Sequence, residues 1–448
     1  VRSSAASDVY KRQGDNDMDR DTLQDLIAWK NKSTRKPLIV RGARQVGKTW
    51  LLKEFGRTQY RQCVYVNFEN AITLQDMFLK DFDINRIIQT LQIYAQTRIT
   101  PEDTLIVFDE VQAAERGLTS LKYFCEDAPQ YHVVAAGSLL GMGLHSQVSF
   151  PVGKVNFLDM RPLSFREFLR AMNEGQLVET LLKGDWEIIS VFHQKLVEYL
   201  KTYLYVGGMP EVVKTYLQTN DFSQVRQVQR EILNAYEADF SKHAPLEVVP
   251  RIQMVWRSIP SQLAKENKKF VYGVLREGAR AKDFELAIEW LCNCGLFLKS
   301  QRISKPDMPL IAYQDLPVFK LFLLDVGLLA AMTALDVRVL IEKERIFTEF
   351  KGALTEQYVM QQLRLRSEDY IGYWTNERST AEVDFVIQRG AEVIPIEVKA
   401  ENNVRARSFK LFCEKYQPQL AVRTSMLPYH KEDWMTNIPL YGIEAPFS

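Results

Sequence analysis

A run of glycine, lysine and threonine near the amino end has the spacing of a phosphate-binding loop. Gly42 and Gly47-Lys48-Thr49 fit the pattern G-x-x-x-x-G-K-T, between a short apolar run and an amphipathic stretch. Glycines let backbone N–H groups turn towards phosphate oxygens, the lysine reaches the β- and γ-phosphates, and the threonine hydroxyl can bind Mg²⁺. The competing interpretation is a glycine-rich turn in an unrelated α/β domain. The pattern predicts that ATP binds one continuous segment: Gly42, Ala43, Arg44, Gln45, Val46, Gly47, Lys48, Thr49 and Trp50.

Well after this loop, the apolar run "TLIVFDEVQ" ends in the acidic pair Asp109-Glu110. We expect Asp109 to hold Mg²⁺ together with Thr49, and Glu110 to polarise the attacking water. Such a pair after a phosphate-binding loop is typical of ATP hydrolysis (Walker A and Walker B motifs). A further apolar run, "YHVVAAGSLL", ends at Ser138, which is a candidate γ-phosphate sensor; a helix cap explains it equally well.

Near the carboxyl end, the segment "EVDFVIQRGAEVIPIEVK" alternates polar and apolar residues on both sides of Gly390. We expect a hairpin with a tight turn at this glycine and the residue after it. Side chains alternate between the faces of a strand, so this register places Asp384 opposite Glu397 and Glu382 opposite Lys399. The hairpin therefore predicts carboxylates and a lysine on one surface patch.

These residues match the arrangement of the PD-(D/E)xK nuclease fold. Asp384 and Glu397 would hold Mg²⁺, Lys399 would orient water or neutralise developing charge, and Glu356 on an upstream amphipathic helix can point at the same patch. The alternative is an ordinary cross-strand salt bridge. A basic run beside the patch suits a phosphate backbone, although a solvated face is the ordinary explanation: Lys399, Arg405, Arg407 and Lys410.

The elements around these motifs predict an α/β protein. Strands alternating with helices favour a parallel, AAA+-like sheet, in which an added strand separates the loop strand from the Asp109 strand. Ser164 and Glu167 have the spacing of a capping box at the start of a helical lid. We divide the chain into a non-native or disordered tail (1–17, with Met18 as the expected start), a P-loop ATPase domain (18–160), a helical lid (161–245), a winged-helix-like domain (246–340) and a nuclease-like α/β domain (341–448).

The middle region has three helical patterns followed by two short strands, which suggests a winged helix. Its third helix carries Asp283, Glu285 and Glu289 against a lone Lys282. An acidic helix is poorly suited to a DNA groove. We therefore favour a connector or a protein contact for this region over DNA binding.

Composition limits the classes of function. The 448 residues are 46% hydrophobic and 25% charged, with a net charge of +1, so contact with DNA must come from local patches. The five cysteines form no C-x-x-C pair, which favours reduced thiols and a cytoplasmic location. The longest apolar candidate is interrupted by Asp325, so we expect no membrane association.

The chain resembles a prokaryotic family of AAA-type ATPases that end in a domain of unknown function. The resemblance covers nearly everything after Met18. It rests on "KPLIVRGARQVGKTWLL", "LIVFDEVQ", "AAGSLL", "FPVGKVNFLDMRPLSFREFL", "GGMPEVV", "KLFLLDVGLL", "KGALTEQYV" and "STAEVDFVI…IPIEVKA". The family's ATP site falls on Gly42, Gly47, Lys48, Thr49, Asp109 and Glu110, and its nuclease-like residues fall on Glu356, Asp384, Glu397 and Lys399.

Two hypotheses follow. The first is an ATPase coupled to a Mg²⁺-dependent nuclease-like domain that acts on DNA. The second is an ATP-dependent switch that binds a protein or nucleic-acid partner, with an inactive nuclease-like domain. AAA-type relatives often assemble, so another copy of this chain is also a candidate partner. Arg44 and Arg161 are candidates for an arginine finger, and the sequence does not choose between them.

Overall fold

The computed structural model describes residues 18–137, 150–265, 268–336, 348–366, 368–376, 381–400 and 407–445. The tail before Met18, the sensor candidate Ser138 and the basic residue Arg405 lie outside these ranges. Within the described part of the chain, the strands form two sheets with helices packed around them.

The amino-terminal sheet holds five parallel strands in the order β2-β3-β4-β1-β5. The strands are β1 (Leu38–Arg41), β2 (Gln62–Asn67), β3 (Thr104–Asp109), β4 (His132–Ala136) and β5 (Asn156–Asp159). The helices around them are α1 (Thr22–Asn31), α2 (Lys48–Gln59), α3 (Ile72–Gln75), α4 (Ile84–Ala95) and α5 (Gly117–Asp127). Strands β3 and β4 are buried throughout, as central parallel strands must be. Because β4 separates β1 from β3, the predicted parallel sheet with a strand between the two motifs is confirmed.

Helices follow one another from residue 165 to residue 263. They are α6 (Phe165–Ala171), α7 (Gly175–Lys183), α8 (Trp186–Val191), α9 (His193–Val206), α10 (Pro210–Thr219), α11 (Phe222–His243) and α12 (Val249–Leu263). The Ser164 side chain accepts from the Glu167 N–H at 3.1 Å, and the Glu167 carboxylate accepts from the Ser164 N–H at 2.8 Å. This is the predicted capping box. Gly207 ends α9 with a φ of 75°, so the Gly-Gly-Met-Pro segment turns the chain into α10.

The second sheet takes its strands from both sides of residue 340, in the order β12-β13-β11-β10-β9-β8-β6-β7. Its strands are β6 (Phe297–Ile303), β7 (Gln314–Leu323), β8 (Tyr370–Thr375), β9 (Glu382–Arg389), β10 (Glu392–Lys399), β11 (Val422–Ser425), β12 (His430–Lys431) and β13 (Thr436–Pro439). Helices α13 (Ala281–Asn293), α14 (Val326–Met332), α15 (Thr348–Leu363) and α16 (Arg407–Tyr416) accompany it.

The hairpin that we expected to be a wing is instead the edge of this second sheet. Strand β6 pairs in parallel with β8, with Gln301 opposite Gly372, and pairs with β7 on its other side. The last five residues of β7 are all buried. Both faces of this part of the strand therefore pack against other elements, whereas a free wing would leave one face exposed to water. The domain boundary placed at residue 340 therefore divides a single sheet.

The second of the three helices expected in the middle region does not form. Only a short 3₁₀ turn, Tyr272–Val274, lies between α12 and α13. Gly273 and Gly278 weaken helix formation here, and Gly278 has a φ of 72° that an α-helix does not allow. The described residues in this region therefore supply two of the three predicted helices and the hairpin, and the winged helix stays a prediction.

One continuous apolar core joins the two sheets. It contains fully buried side chains from the ATP-loop helix, the helical region and the carboxyl-terminal sheet, among them Leu52, Phe168, Tyr203, Trp256 and Phe385. Packed cores transmit displacement because they contain few voids. The two sheets therefore pack on the same core.

Candidate nucleotide site and carboxyl-terminal acidic cluster

The predicted phosphate-binding loop lies between β1 and α2, and two of its glycines are required by geometry. Gly42 and Gly47 have φ values of 147° and 94°, which side chains rarely adopt. A Cβ at Gly42 would lie 2.2 Å from the carbonyl oxygen of Met160. Gly47 precedes the first residue of α2, so the loop leads directly to a helix amino terminus. This is the local structure that binds phosphate in P-loop proteins.

The side chain of Lys48 folds back onto the phosphate-binding loop. Its Nζ donates to the carbonyl oxygens of Gly42 at 2.9 Å and Ala43 at 2.7 Å. Burial lowers the pKa of Lys48 to about 8, although the charges of Glu110 and Asp109 oppose that shift. The amine is therefore held inside the loop, within electrostatic reach of Asp109 at the end of β3 and of Glu110 after it.

Thr49 and Asp109 are in direct contact. The Thr49 hydroxyl donates to Asp109 Oδ2 at 2.8 Å, and the Tyr65 hydroxyl donates to the same oxygen at 2.6 Å. Glu110 follows with a φ of 47°, and its own N–H donates to Asp109 Oδ1 at 3.1 Å. A hydroxyl and a carboxylate at this spacing are the hard oxygen ligands that Mg²⁺ prefers.

The remaining loop residues have separate surroundings. Arg44 forms an ion pair with Asp239 of α11, and its carbonyl oxygen accepts from the Tyr236 hydroxyl at 2.8 Å. Gln45 has a φ of 62°, Ala43 and Val46 are buried, and Trp50 is 40% exposed on α2. The arginine-finger candidate Arg44 is thus bound to this chain's own helical region. The other candidate, Arg161, lines a cavity described below.

The sequence interpretation missed two residues that contact the loop. Arg20 donates to the Val46 carbonyl at 3.0 Å and is held by Glu167 at 3.1 Å. Pro210, the first residue of α10, lies so close that a Cβ at Gly47 would be 3.5 Å from its Cγ. The sequence motifs gave no reason to expect the Gly-Gly-Met-Pro segment at this loop. In the sequence, the signal for this contact was a proline that follows two glycines at the start of a helix.

The carboxyl-terminal hairpin has the register that its alternation predicts. Ile396 pairs with Phe385, and continuing the register by one residue sets Glu397 opposite Asp384. Asp384 Oδ2 accepts from the N–H of Val398 at 2.8 Å, and Lys399 Nζ lies 2.5 Å from Glu397 Oε1. Burial, then Glu356 and Glu397, raises the pKa of Asp384 well above its usual value. Burial also raises the pKa of Glu397, against the charge of Lys399.

Glu356 of α15 reaches the same cluster, together with two lysines that the sequence interpretation missed. Its carboxylate forms an ion pair with Lys268 and lies 3.6 Å from Lys320 Nζ. Although burial opposes ionisation, these lysines hold the pKa of Glu356 below its usual value. Lys320 also forms an ion pair with Glu382, which the predicted register sets opposite Lys399. Lys320 is the one charged residue in the apolar run "VFKLFLL", and this was the available signal.

Three further observations concern metal binding, the basic run and membrane spans. In the ranges that the structure describes, no group of three or more histidine, cysteine, aspartate or glutamate side chains is arranged to hold a metal ion. Arg407 and Lys410 are exposed on α16. Across the same ranges, no helix is both long and apolar enough to cross a membrane.

Comparisons with protein families divide the chain into three parts. Residues 34–169 match a family model described as "AAA domain". Residues 34–169 therefore form an AAA-type P-loop ATPase domain. Residues 197–338 match a domain of unknown function (DUF8612), and residues 351–443 match another (DUF4143). No curated protein matches this sequence.

Several solved structures are similar to this ATPase-containing chain at low sequence identity. A Walker-type ATPase of Pyrococcus abyssi, PABY2304, is 13% identical, with 70% of this chain and 96% of that chain covered and a TM-score of 0.44. The Aeropyrum pernix ORC1 protein in complex with DNA is 11% identical, with coverages of 72% and 92% and a TM-score of 0.26. AMPPCP-bound DnaA from Aquifex aeolicus is 14% identical, with coverages of 60% and 84% and a TM-score of 0.27.

Proposed function

We propose that this protein hydrolyses ATP and that ATP turnover controls a Mg²⁺-dependent nuclease site in the carboxyl-terminal domain, with DNA as the substrate. The contact between the Thr49 hydroxyl and the Asp109 carboxylate, beside Lys48 and Glu110, carries the ATPase part. Lys48 would leave the loop carbonyls and bind the β- and γ-phosphates, and Glu110 would orient the attacking water. Mg²⁺, held by Thr49 and Asp109, would neutralise charge on the phosphates.

The acidic cluster supports the second part of the proposal. Glu356, Asp384 and Glu397 converge from one helix and two paired strands, with Lys399 bound to Glu397. Asp384 and Glu397 would hold Mg²⁺, which would stabilise the oxygen that leaves a phosphodiester. Lys399 would orient water or bind the charged phosphate oxygens. The raised pKa of Asp384 is consistent with a site that favours added positive charge.

Contacts between the sheets offer a route for control. The Asp325 carboxylate, at the start of α14, accepts from the N–H of Gly208 at 2.7 Å and from Gln361 of α15 at 3.2 Å. Gly208 belongs to the turn whose proline packs on the phosphate-binding loop. Nucleotide binding that moves this turn would therefore displace α15, which carries Glu356.

The experiment is a cleavage assay on labelled linear, single-stranded and four-way-junction DNA, with Mg²⁺ and with or without ATP. We expect cleavage by the wild-type protein and by Asp433→Ala, an exposed acidic residue of the same domain. Asp384→Ala should lose cleavage and keep ATP hydrolysis. Cleavage that survives in Asp384→Ala would refute the assignment of the nuclease site.

A second candidate is an ATP-dependent switch in which the nuclease-like domain only binds a partner. Lys268 and Lys320 favour it, because they neutralise Glu356 and Glu382 without any metal. A buried cluster balanced by lysines can be a structural ion-pair network. ATP hydrolysis with no cleavage of any of the three DNA forms would select this candidate.

A further inference from the structure

A cavity of about 340 Å³ lies between the ATPase domain and the carboxyl-terminal sheet, beside the phosphate-binding loop, whose Gly42, Ala43 and Val46 are part of its lining. One wall is formed by Arg41, Gly42 and Arg161, at the end of β1 and just after β5. The opposite wall is formed by Lys299 of β6 and Arg364, directly after α15. Its volume is in the range of small-molecule sites. Neither Lys48 nor Thr49 lines it, and neither does the acidic pair Asp109-Glu110, so the cavity does not include the predicted magnesium ligands of the ATP site.

The charges of this cavity are unbalanced. Four of its lining residues are basic, and Asp159 is the one acidic residue among the described residues of the lining. Asp159 is already bound to Arg41 at 2.8 Å, and both side chains are about one-third exposed, at 35% and 33%. The inner cations Arg161, Lys299 and Arg364 therefore have no carboxylate of their own in the lining.

Arg161 is the clearest sign of a missing counter-charge. Across the described ranges its guanidinium makes no hydrogen bond and no ion pair, and only its backbone carbonyl is used, by Arg20 at 2.6 Å. Across the same ranges, the guanidinium of Arg364 makes one long hydrogen bond, at 3.3 Å, to the Lys299 carbonyl oxygen. Burial, then the charge of Arg364, lowers the pKa of Arg161 to about 10. Two arginines that repel each other in a cavity are stabilised when an anion binds between them.

We propose that this cavity binds a phosphate group, with Arg161 and Arg364 as its principal ligands and Lys299 as an added positive charge. Planar guanidinium groups bind phosphate oxygens in pairs, and a phosphate here would bridge the two domains. The phosphate can come from a free phosphorylated small molecule or from the end of a nucleic-acid strand. This site is independent of the nuclease proposal.

The test measures binding of inorganic pyrophosphate to the full chain by calorimetry, with Mg²⁺ and ADP saturating the ATP site. Pyrophosphate should bind the wild-type protein and Arg98→Met equally, since Arg98 is exposed and does not line the cavity. Arg161→Met and Arg364→Met should each weaken binding at least about tenfold, because each removes charge-assisted hydrogen bonds to phosphate. Arg161→Lys should bind better than Arg161→Met.

A parallel arm compares one oligonucleotide with and without a 5′-phosphate. Preference for the phosphorylated strand that is lost in Arg161→Met and Arg364→Met, with weak pyrophosphate binding, would support the site and identify a strand end as the source. Equal binding by all variants, or no binding of either probe, would overturn the proposal. If the methionine variants fail to fold, phenylglyoxal labelling of the wild-type protein decides. Pyrophosphate should protect Arg161 and Arg364 but not Arg98, and equal labelling of all three would refute the site.

Discussion

Asp325 connects the helical region to the carboxyl-terminal domain through its hydrogen bonds. We expect a substitution at this residue to have the strongest effect on that connection. Its buried carboxylate accepts from the N–H of Gly208 at 2.7 Å, the N–H of Leu328 at 3.0 Å and Gln361 Nε2 at 3.2 Å. Asp325→Asn keeps one oxygen but places an NH₂ group against these donors. Leaving a buried donor without an acceptor costs about 1–3 kcal/mol. We therefore expect the variant to lose about 1–3 kcal/mol of unfolding free energy at mildly acidic pH.

The pH dependence gives a sharper prediction. Burial raises the pKa of Asp325 from 3.8 to about 6. Because this folded-state pKa exceeds the unfolded value, protonation stabilises the fold at low pH, and that stabilisation is lost as the pH rises through about 6. Linkage between those two pKa values gives a loss of about 1.4 kcal/mol from about pH 5 to about pH 8 for this one group.

Urea unfolding of the wild-type protein and Asp325→Asn at both pH values measures this quantity. Subtracting the two proteins removes the other titrating groups, which they share. The wild-type advantage should shrink by about 1.4 kcal/mol at the higher pH, because only the wild-type carboxyl group ionises. An advantage that stays constant, or grows with pH, would refute the account of a buried carboxyl held between two domains.

Three further perturbations have defined outcomes. Glu110→Gln should lower kcat for ATP hydrolysis at least about a hundredfold with little change in KM, as expected when a water-orienting carboxylate is lost; an unchanged kcat would remove this residue from the mechanism. Lys320→Met should destabilise the protein by up to about 3–5 kcal/mol, because the buried Glu356 keeps only Lys268 and the partly exposed Glu382 loses its lysine; a thermal midpoint equal to that of the wild-type protein would contradict this. Gly208→Ala places a Cβ 2.0 Å from the Leu163 carbonyl oxygen and should cost about 1–3 kcal/mol, whereas Gly175→Ala meets no atom within 4 Å and should be tolerated in the same melting experiment.

Local sequence patterns predict most of the candidate nucleotide site, because its residues lie at the carboxyl ends of β1 and β3, which belong to one parallel sheet on either side of β4. Lys48, Thr49 and Asp109 meet for that reason. The same is true of Asp384 and Glu397, whose pairing follows from a two-residue turn and the alternation of side chains.

Contacts between distant segments could not be predicted in this way. Lys320 reaches Glu356 and Glu382 only because the β6–β7 hairpin joins a sheet whose remaining strands begin about fifty residues later, a pairing that no local pattern encodes. For the same reason the sequence did not show that Glu382, which the predicted register sets opposite Lys399, forms its ion pair with Lys320. Arg20 and Pro210 reach the phosphate-binding loop through packing of the helical region, which depends on tertiary contacts rather than on periodicity.

Coupling between the two ends of the chain is the central claim, and one comparison tests it most directly. The rate of Mg²⁺-dependent DNA cleavage with ATP would be measured for the wild-type protein, Lys48→Ala and Lys80→Ala, an exposed lysine of the same domain. The account predicts that Lys80→Ala cleaves at the wild-type rate and that Lys48→Ala, which cannot hold the phosphates, changes the rate at least about tenfold. Equal cleavage by all three proteins, or ATP hydrolysis by the wild-type protein with no cleavage, would contradict it.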